Sequence, residues 1–589
     1  GTSNTAVGKD ALEANTTASN NTAVGFKSLE ANTTGAGGVA VGANALDANT
    51  TGVRNTAIGQ DALGGNTTGG DNVAIGNSAL EANTTASNNT AVGRIALLAN
   101  TTGSDNNAFG YGALQANTTG TDNTALAKQA LFSNTTGSYN TAVGDRALQA
   151  NTTADGNVSV GADSMYNNTT GSSNVAVGAD ALKSNTTGSD NTAIGKVCLD
   201  ANTTADGNTG VGSSCLGANT TGADNVAMGE AAMLSNTTAS NNVAIGKSSL
   251  RANTTADNNT AVGKDALLAN TTGTRNVALG TFALDSNTTA NDNTGLGYGA
   301  LATNTTGANN TAVGQSALVA NTTGVQNTAV GDSALTANTT GNTNAAFGIG
   351  ALDANTTASN NTAVGAYALS TNTTGEPNTA VGRFAMFACT TGGSNVAIGK
   401  DAAKNLTTGG SNTIIGVGSA ATLTTGSSNI LIGKEANVSS AGNSELVIGN
   451  AISGIGNNTG LIYPPGGGAM YQATNATTWT QTSDERIKKN IVDNNNGLTK
   501  LQDIQVRNFE YRTEDEIEEL PSHLAVNQEG IQLGVIAQEI EKVLPEVVIT
   551  ESSGVKTVNT DNLTWYLINA VQELSTQVDE LKAKLNKGE

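Results

Sequence analysis

Few residues in this chain could do chemistry, and they are unevenly placed. The one histidine, His523, lies in an acidic loop containing Pro521, and no triad or metal cluster can be assembled around it. Three cysteines in 589 residues do not make a disulfide framework. A hydroxyl, carboxylates and amines come together at Ser483-Asp484-Glu485-Arg486-Ile487-Lys488-Lys489-Asn490-Ile491. By spacing alone, Ser483 reads as a helix N-cap, with Asp484 and Glu485 favourably placed in the first turn and Lys488 facing solvent. The residues before it carry neither paired carboxylates nor a metal-ligand set, which argues against an enzyme acting on outside substrates. No cofactor and no metal are expected.

The element that must position everything else is a repeat. Asn4-Thr5-Ala6-Val7-Gly8, then Leu12, then Asn15-Thr16-Thr17 returns every 17 residues, and the Val7 position stays aliphatic, Met or Phe as far as Ile432. These are about 26 copies without a slipped register, which is the signature of a repeat architecture. A period this short cannot house its own core, so each copy buries its apolar face against its neighbours along a stack. Gly8 and its equivalents, with Ala127 the exception, and the Gly or Ala after each Thr pair read as corners. Between corners, T-A-V and A-N-T-T have the length of short strands. The expected fold is mainly β: a parallel β-solenoid of about 26 seventeen-residue rungs over 1–449.

Substitutions among the copies indicate which positions face inward. The Val7 and Leu12 positions are apolar almost throughout, with Ala403 and Ala420 in the latter, and are expected inside. The Asn15 position is Asn through Asn372, then Cys389, Leu406 and Leu423. A position that exchanges Asn for Leu is buried, which predicts an internal amide ladder; the alternative is a row of turn residues. Cys198 and Cys215 fall one period apart in a column of Ala and Ser, so they stack on adjacent rungs about 4.8 Å apart, as two buried thiols or as a bridge. The many N-T-T triplets match a glycosylation acceptor, but the repeat itself supplies the match. Repeated Thr pairs could also present the flat hydroxyl array of an ice-binding solenoid.

Composition agrees with thin rungs: aromatics are 3%, charge is 13%, and there are 72 Gly. Net charge is -21, and no basic cluster is present to hold phosphates, which excludes nucleic acid as a partner. No apolar run approaches the roughly 20 residues of a membrane-spanning helix, so no membrane insertion is expected. The sequence opens at Gly1 inside a rung, from which an attachment region is expected ahead of it.

The N-x-A-V-G rung with its Gly corner resembles the head repeats of trimeric autotransporter adhesins, which stack as a parallel β-roll with three chains to a head. That family's repeats are usually shorter than 17 residues. The resemblance implies a homotrimer whose chains cover one another's flanks. With about 26 rungs at about 4.8 Å each, the shaft would run roughly 125 Å. After Gly433 the repeat dissolves. Residues 450–482 bring Tyr463, Pro464, Pro465, a run of Gly, Tyr471 and Trp479. This stretch reads either as a tip whose aromatics, Tyr463, Tyr471 and Trp479, contact a receptor, or as a linker.

From Ser483 charges become dense and Gly nearly disappears. Gly534-Val535-Ile536-Ala537-Gln538-Glu539-Ile540 and Leu544-Pro545-Glu546-Val547-Val548 follow the opening motif. Leu567, Val571, Leu574, Val578, Leu581 and Leu585 then alternate by four and three, a coiled-coil seam over about 563–587. In this order, S-D-x-R-x-K-x-x-I, G-x-I-A-Q-E and a terminal coiled coil resemble the C-terminal intramolecular chaperone domain of phage endosialidases and tail fibres, a self-cleaving peptidase family. The resemblance covers 483–589 and implies an α+β domain that trimerises, guides folding of the fibre ahead of it and cuts itself off at Thr482-Ser483. It makes Ser483 the nucleophile and Lys488 its general base, with supporting roles for Asp484, Gln538 and Glu539. Near-identical rungs can pair one register off at little cost, which gives such a helper its purpose. The reading is therefore a homotrimeric viral tail fibre that is assembled in the host cytoplasm, acts outside it, attaches to a host-surface receptor such as a glycan, and joins phage tail or baseplate proteins through the region expected ahead of Gly1. The alternatives are a bacterial surface adhesin and an ice-binding solenoid.

Overall fold

The structure is a computed structural model that describes residues 1–439, 442–464, 469–472, 480–481, 488–517, 526, 528–551 and 553–588. The chain divides into two units, Gly1–Thr482 and Ser483–Glu589. The first is a parallel β-solenoid of about 27 turns. Its strands begin with β1 (Thr5–Val7) and β2 (Thr22–Val24), paired so that Thr5, Ala6 and Val7 lie opposite Thr22, Ala23 and Val24. The same register runs to β26 (Ile430–Ile432). β27 (Leu446–Gly449) arrives one residue early and β28 (Gly460–Tyr463) earlier still, both still parallel.

The rung contains one strand, where two were expected. The A-N-T-T segment forms no strand, because the Leu position before it sits in the left-handed region, with Leu46 and Leu148 both at φ 53°. Hydrogen bonds between rungs persist there in turn geometry: the Thr16 and Thr17 amides both donate to the Thr33 carbonyl, at 3.2 and 3.3 Å. Left-handed backbone costs a Leu on the order of 1–2 kcal/mol, whereas burying its side chain contributes about 1.5–3 kcal/mol. Burial wins, and Leu46 and Leu148 are fully enclosed.

The Val7 position was expected inside, and it points out. Side chains alternate along a strand, and in T-A-V the central residue takes the interior. Ala23, Ala40 and Ala57 are completely buried, while Ile58, Ile194 and Ile398 are 39–40% exposed. The interior is narrow, filled by this Ala, by the Ala or Ser of the Cys198 column and by Leu. Glycine is required after the strand on two counts. Gly195 has φ 138°, and a Cβ there would lie 2.3 Å from the Gly212 carbonyl oxygen of the next rung.

The amide ladder exists. Asn49 Nδ2 donates to Asn32 Oδ1 at 2.8 Å and to the Gly52 carbonyl at 3.1 Å, and the pattern repeats along the shaft. A second ladder, absent from the sequence reading, is built on the Asn4 position: Asn72 N–H donates to Asn55 Oδ1 at 2.9 Å, and Asn72 Nδ2 reaches the Ala86 carbonyl at 2.9 Å. It closes at Asn429, whose Oδ1 accepts from the Glu445 amide at 3.0 Å. The asparagines of the N-T-T triplets are those of the first ladder and are buried, so the acceptor pattern is enclosed from Asn32 to Asn372. One Thr of each pair is also engaged, as Thr33 Oγ1 donates to the Thr50 carbonyl at 3.0 Å. The free hydroxyl array that an ice-binding face needs is thereby halved. Cys198, Cys215 and Cys389 are buried free thiols.

Candidate functional site

The candidate site lies in the second unit. Its opening helix α1 (Leu498–Gln502) follows a loop pressed against the long C-terminal helix α3 (Thr560–Lys587). A Cβ at Gly497 would fall 2.2 Å from the Ala570 amide nitrogen, so only glycine permits this approach. On either side of that contact, Asn569 Nδ2 donates to the Asn494 carbonyl at 2.6 Å, and the Leu498 amide donates to Glu573 at 3.1 Å.

Two small antiparallel pairs flank helix α2 (Ala537–Val543): β31 (Arg507–Phe509) with β32 (Gln532–Gly534), and β33 (Val548–Thr550) with β34 (Lys556–Val558). Ile540, Leu544 and Val547 are buried against Ile504, Val535, Val558 and Leu563. The G-V-I-A-Q-E motif supplies the end of β32 and the start of α2. Glu539 there takes two hydrogen bonds from Arg507, at 2.9 and 3.1 Å. This guanidinium holds the Glu539 carboxyl below the usual carboxylate range. Lys500 Nζ donates to the Val543 carbonyl at 2.9 Å, where cations favour a helix C-terminus. Tyr566 donates to Glu546, which lowers that carboxyl and raises the phenol.

Gln538 lines an apolar cleft of about 610 Å³ together with Phe509, Tyr511, Val535 and Val558. Helix α3 is capped by the Asn559 side chain and ends at Gly588 in the left-handed conformation. Its four-three seam is exposed in the single chain, from 40% at Val578 to 82% at Leu585.

The sequence-predicted residues fall unevenly on this frame. Thr482, Ser483, Asp484, Trp479 and His523 lie outside the described residues. Lys488 is described and exposed, on the chain ahead of α1. Gln538 and Glu539 share the first turn of α2. Tyr463 ends β28 and is 40% exposed, while Tyr471 lies half-buried in β29 (Met470–Gln472), antiparallel to β28 and opposite Leu461. β29 thus runs against the shaft's strands, and β30 (Thr480–Gln481), antiparallel to β29, returns to their sense. Sequence reasoning missed Arg507, Lys500 and Gly497. Each acts through a long-range contact that carries no local spacing, although a glycine in a stretch otherwise poor in it was a usable signal.

The family model described as chaperone of endosialidase matches residues 483–549. The chain is 30% identical over 129 residues to the long tail fiber protein Gp37 of Enterobacteria phage M1, and 31% identical over 126 residues to that of Enterobacteria phage Ox2. Each alignment covers 21% of this chain and 46% or 45% of the relative, so the chain spans about half the length of the curated relatives it matches. No solved structure matches the chain. Residues 483–549 thus match the chaperone-of-endosialidase family, on a chain that is similar over about a fifth of its length to phage long tail fibre proteins.

Proposed function

We propose that this protein is the shaft and distal part of a trimeric phage tail fibre that contacts a host-surface receptor, and that its C-terminal unit assembles the trimer and then cuts itself away. The observation that carries the reading is the family match over 483–549, joined to an α3 seam that the described residues leave exposed. Leu567, Val571, Leu574 and Val578 at a/d spacing find partners when three helices pack together. Receptor contact is assigned to the aromatic stretch from Tyr463 to Trp479, because aromatic side chains give much contact area at low entropic cost.

For cleavage, Ser483 Oγ attacks the Thr482 carbonyl carbon and its proton passes to Lys488 Nζ. The same proton then protonates the departing Ser483 nitrogen. Water hydrolyses the resulting ester, freeing the Thr482 carboxylate and the Ser483 hydroxyl. Lys488 must be neutral to accept that proton, which burial favours. It is exposed in the single chain, so the pocket that buries it is completed by assembly, and cleavage waits for a finished trimer.

Intact mass after expression tests the proposal, with the wild type beside Ser483→Ala and Lys488→Ala. The expected result is a fragment beginning at Ser483 in the wild type and an uncut chain in both variants. A wild type that assembles as a trimer and stays whole would refute the cleavage step and leave residues 483–589 as a permanent trimerisation cap.

A further inference from the structure

Helix α3 has two faces, and the chain that carries Lys488 is tied to the one lying away from the four-three seam. Residues advance about 100° around a helix axis. Leu567, Val571, Leu574 and Val578 therefore form one stripe, and Asn569, two residues beyond Leu567, falls on the opposite side. Glu573 follows Asn569 at the i+4 position on that outer side.

Both outer residues hold main chain. Asn569 Nδ2 donates to the Asn494 carbonyl at 2.6 Å and to the Asn496 carbonyl at 3.3 Å. Glu573 Oε2 accepts from the Leu498 amide at 3.1 Å. The residue ahead of α1 is Gly497, which has no side chain with which to cap that helix, so a carboxylate from α3 satisfies its first amide instead. Between these bonds, the close approach of Gly497 to the Ala570 backbone leaves no room for a Cβ. The contacts at 494, 497 and 498 fix this loop to α3.

Upstream of that anchor the chain is little supported. Lys488 lies six residues ahead of Asn494, a reach of at most about 20 Å. Ile491 and Val492 between them are 65% and 85% exposed, so packing does not seat this stretch, and its footing is the anchor behind it. Helices that pack along the seam leave the outer face of α3 untouched, so the anchor survives assembly.

We infer that Asn569 and Glu573 are positioning residues for self-cleavage: they bind the chain behind Lys488 to α3, so that the helix that assembles also sets where this lysine stands. The inference rests on the cleavage proposed above and names what holds its base in place. Neither residue touches the reacting atoms. Their effect is through geometry, to which rate is steeply sensitive, since a displacement of about 1 Å can cost on the order of 100-fold. Losing one tether lets the lysine wander, which slows the reaction without undoing the seam.

Full-length chains made in a cell-free pulse test this, with intact mass following the cut against time and sedimentation reporting the trimer. Asn569→Ala and Glu573→Ala are expected to assemble as the wild type does and to cut at least about tenfold more slowly. Glu573→Gln, whose amide oxygen still accepts from the Leu498 amide, is expected to recover most of the rate. Asn569→Asp, which keeps the shape and loses the donor, is expected to stay slow. Variant trimers that cut as fast as the wild type would overturn the inference and leave the cleavage standing. Variants that no longer assemble would overturn it as well, by placing both residues in the folding of the trimer. A wild type that assembles and stays whole would overturn the cleavage and this inference together.

Discussion

Asn372 is where the first ladder stops, and its Oδ1 is buried with no hydrogen-bond partner among the described residues. The next rung offers Cys389, whose thiol reaches the Gly392 carbonyl at 3.5 Å, as each Asn amide reaches its own corner, but has no second donor to send back. Cys389→Asn restores that donor and should stabilise the rungs around it by about 1 kcal/mol, read as roughly fivefold greater amide protection by hydrogen exchange near residues 372–392. Unchanged or lower protection would mean that the amide does not fit. The thiols make a second prediction. Burial pushes Cys389 up to about 11, and the neighbouring Cys215 thiol and burial push Cys198 up as well. All three side chains are fully buried, so at pH 8 the folded shaft should leave all three cysteines unreacted with a thiol reagent, with full reaction after denaturation. The Asn15 ladder was legible in the sequence because Leu406 and Leu423 replace Asn in that column, which only a buried site tolerates. The Asn4 ladder was not, because its column never admits an apolar side chain and so looked like turn chemistry. The Val7 column misled for the opposite reason: it is apolar almost throughout, yet strand alternation turns it outward and gives the interior to Ala.

At the scale of elements, the repeat period fixed the stack, the corners and the strand T-A-V, but not the second side of the rung. A buried Leu held at φ near 53° in successive rungs is a tertiary outcome, in which burial outweighs local preference. The long helix was readable from its four-three spacing and from Asn559 before it. What holds the second unit together was not, because Gly497 against α3 and Arg507 on Glu539 join residues far apart in sequence. The Arg507–Glu539 pair ties β31 to α2, and its sign is definite. Because the folded carboxyl is depressed, the pair contributes above the ordinary carboxylate range, and that contribution is lost as pH falls through the lowered value. Arg507→Ala should return the Glu539 carboxyl to its ordinary value in an NMR titration. A titration midpoint that stays depressed in the variant would assign the shift to another group.

For the molecule as a whole, a solenoid of near-identical rungs is stable against melting and poorly specified in register, and the assembly role proposed for the C-terminal unit answers the second property. Under the proposed cleavage, reversal would require many rungs to open together, and the fibre would persist through a kinetic barrier. The motifs after Ser483 made the family legible, since their order survives even where spacing alone favoured a helix cap. The fate of the Thr482-Ser483 bond was not legible, because it depends on neighbours that a single chain does not supply. The most direct measurement of the central claim is the native mass of the protein recovered after full-length expression. The account predicts three copies of a fragment ending at Thr482, freed of residues 483–589. A single uncut chain, folded and monomeric, would contradict it.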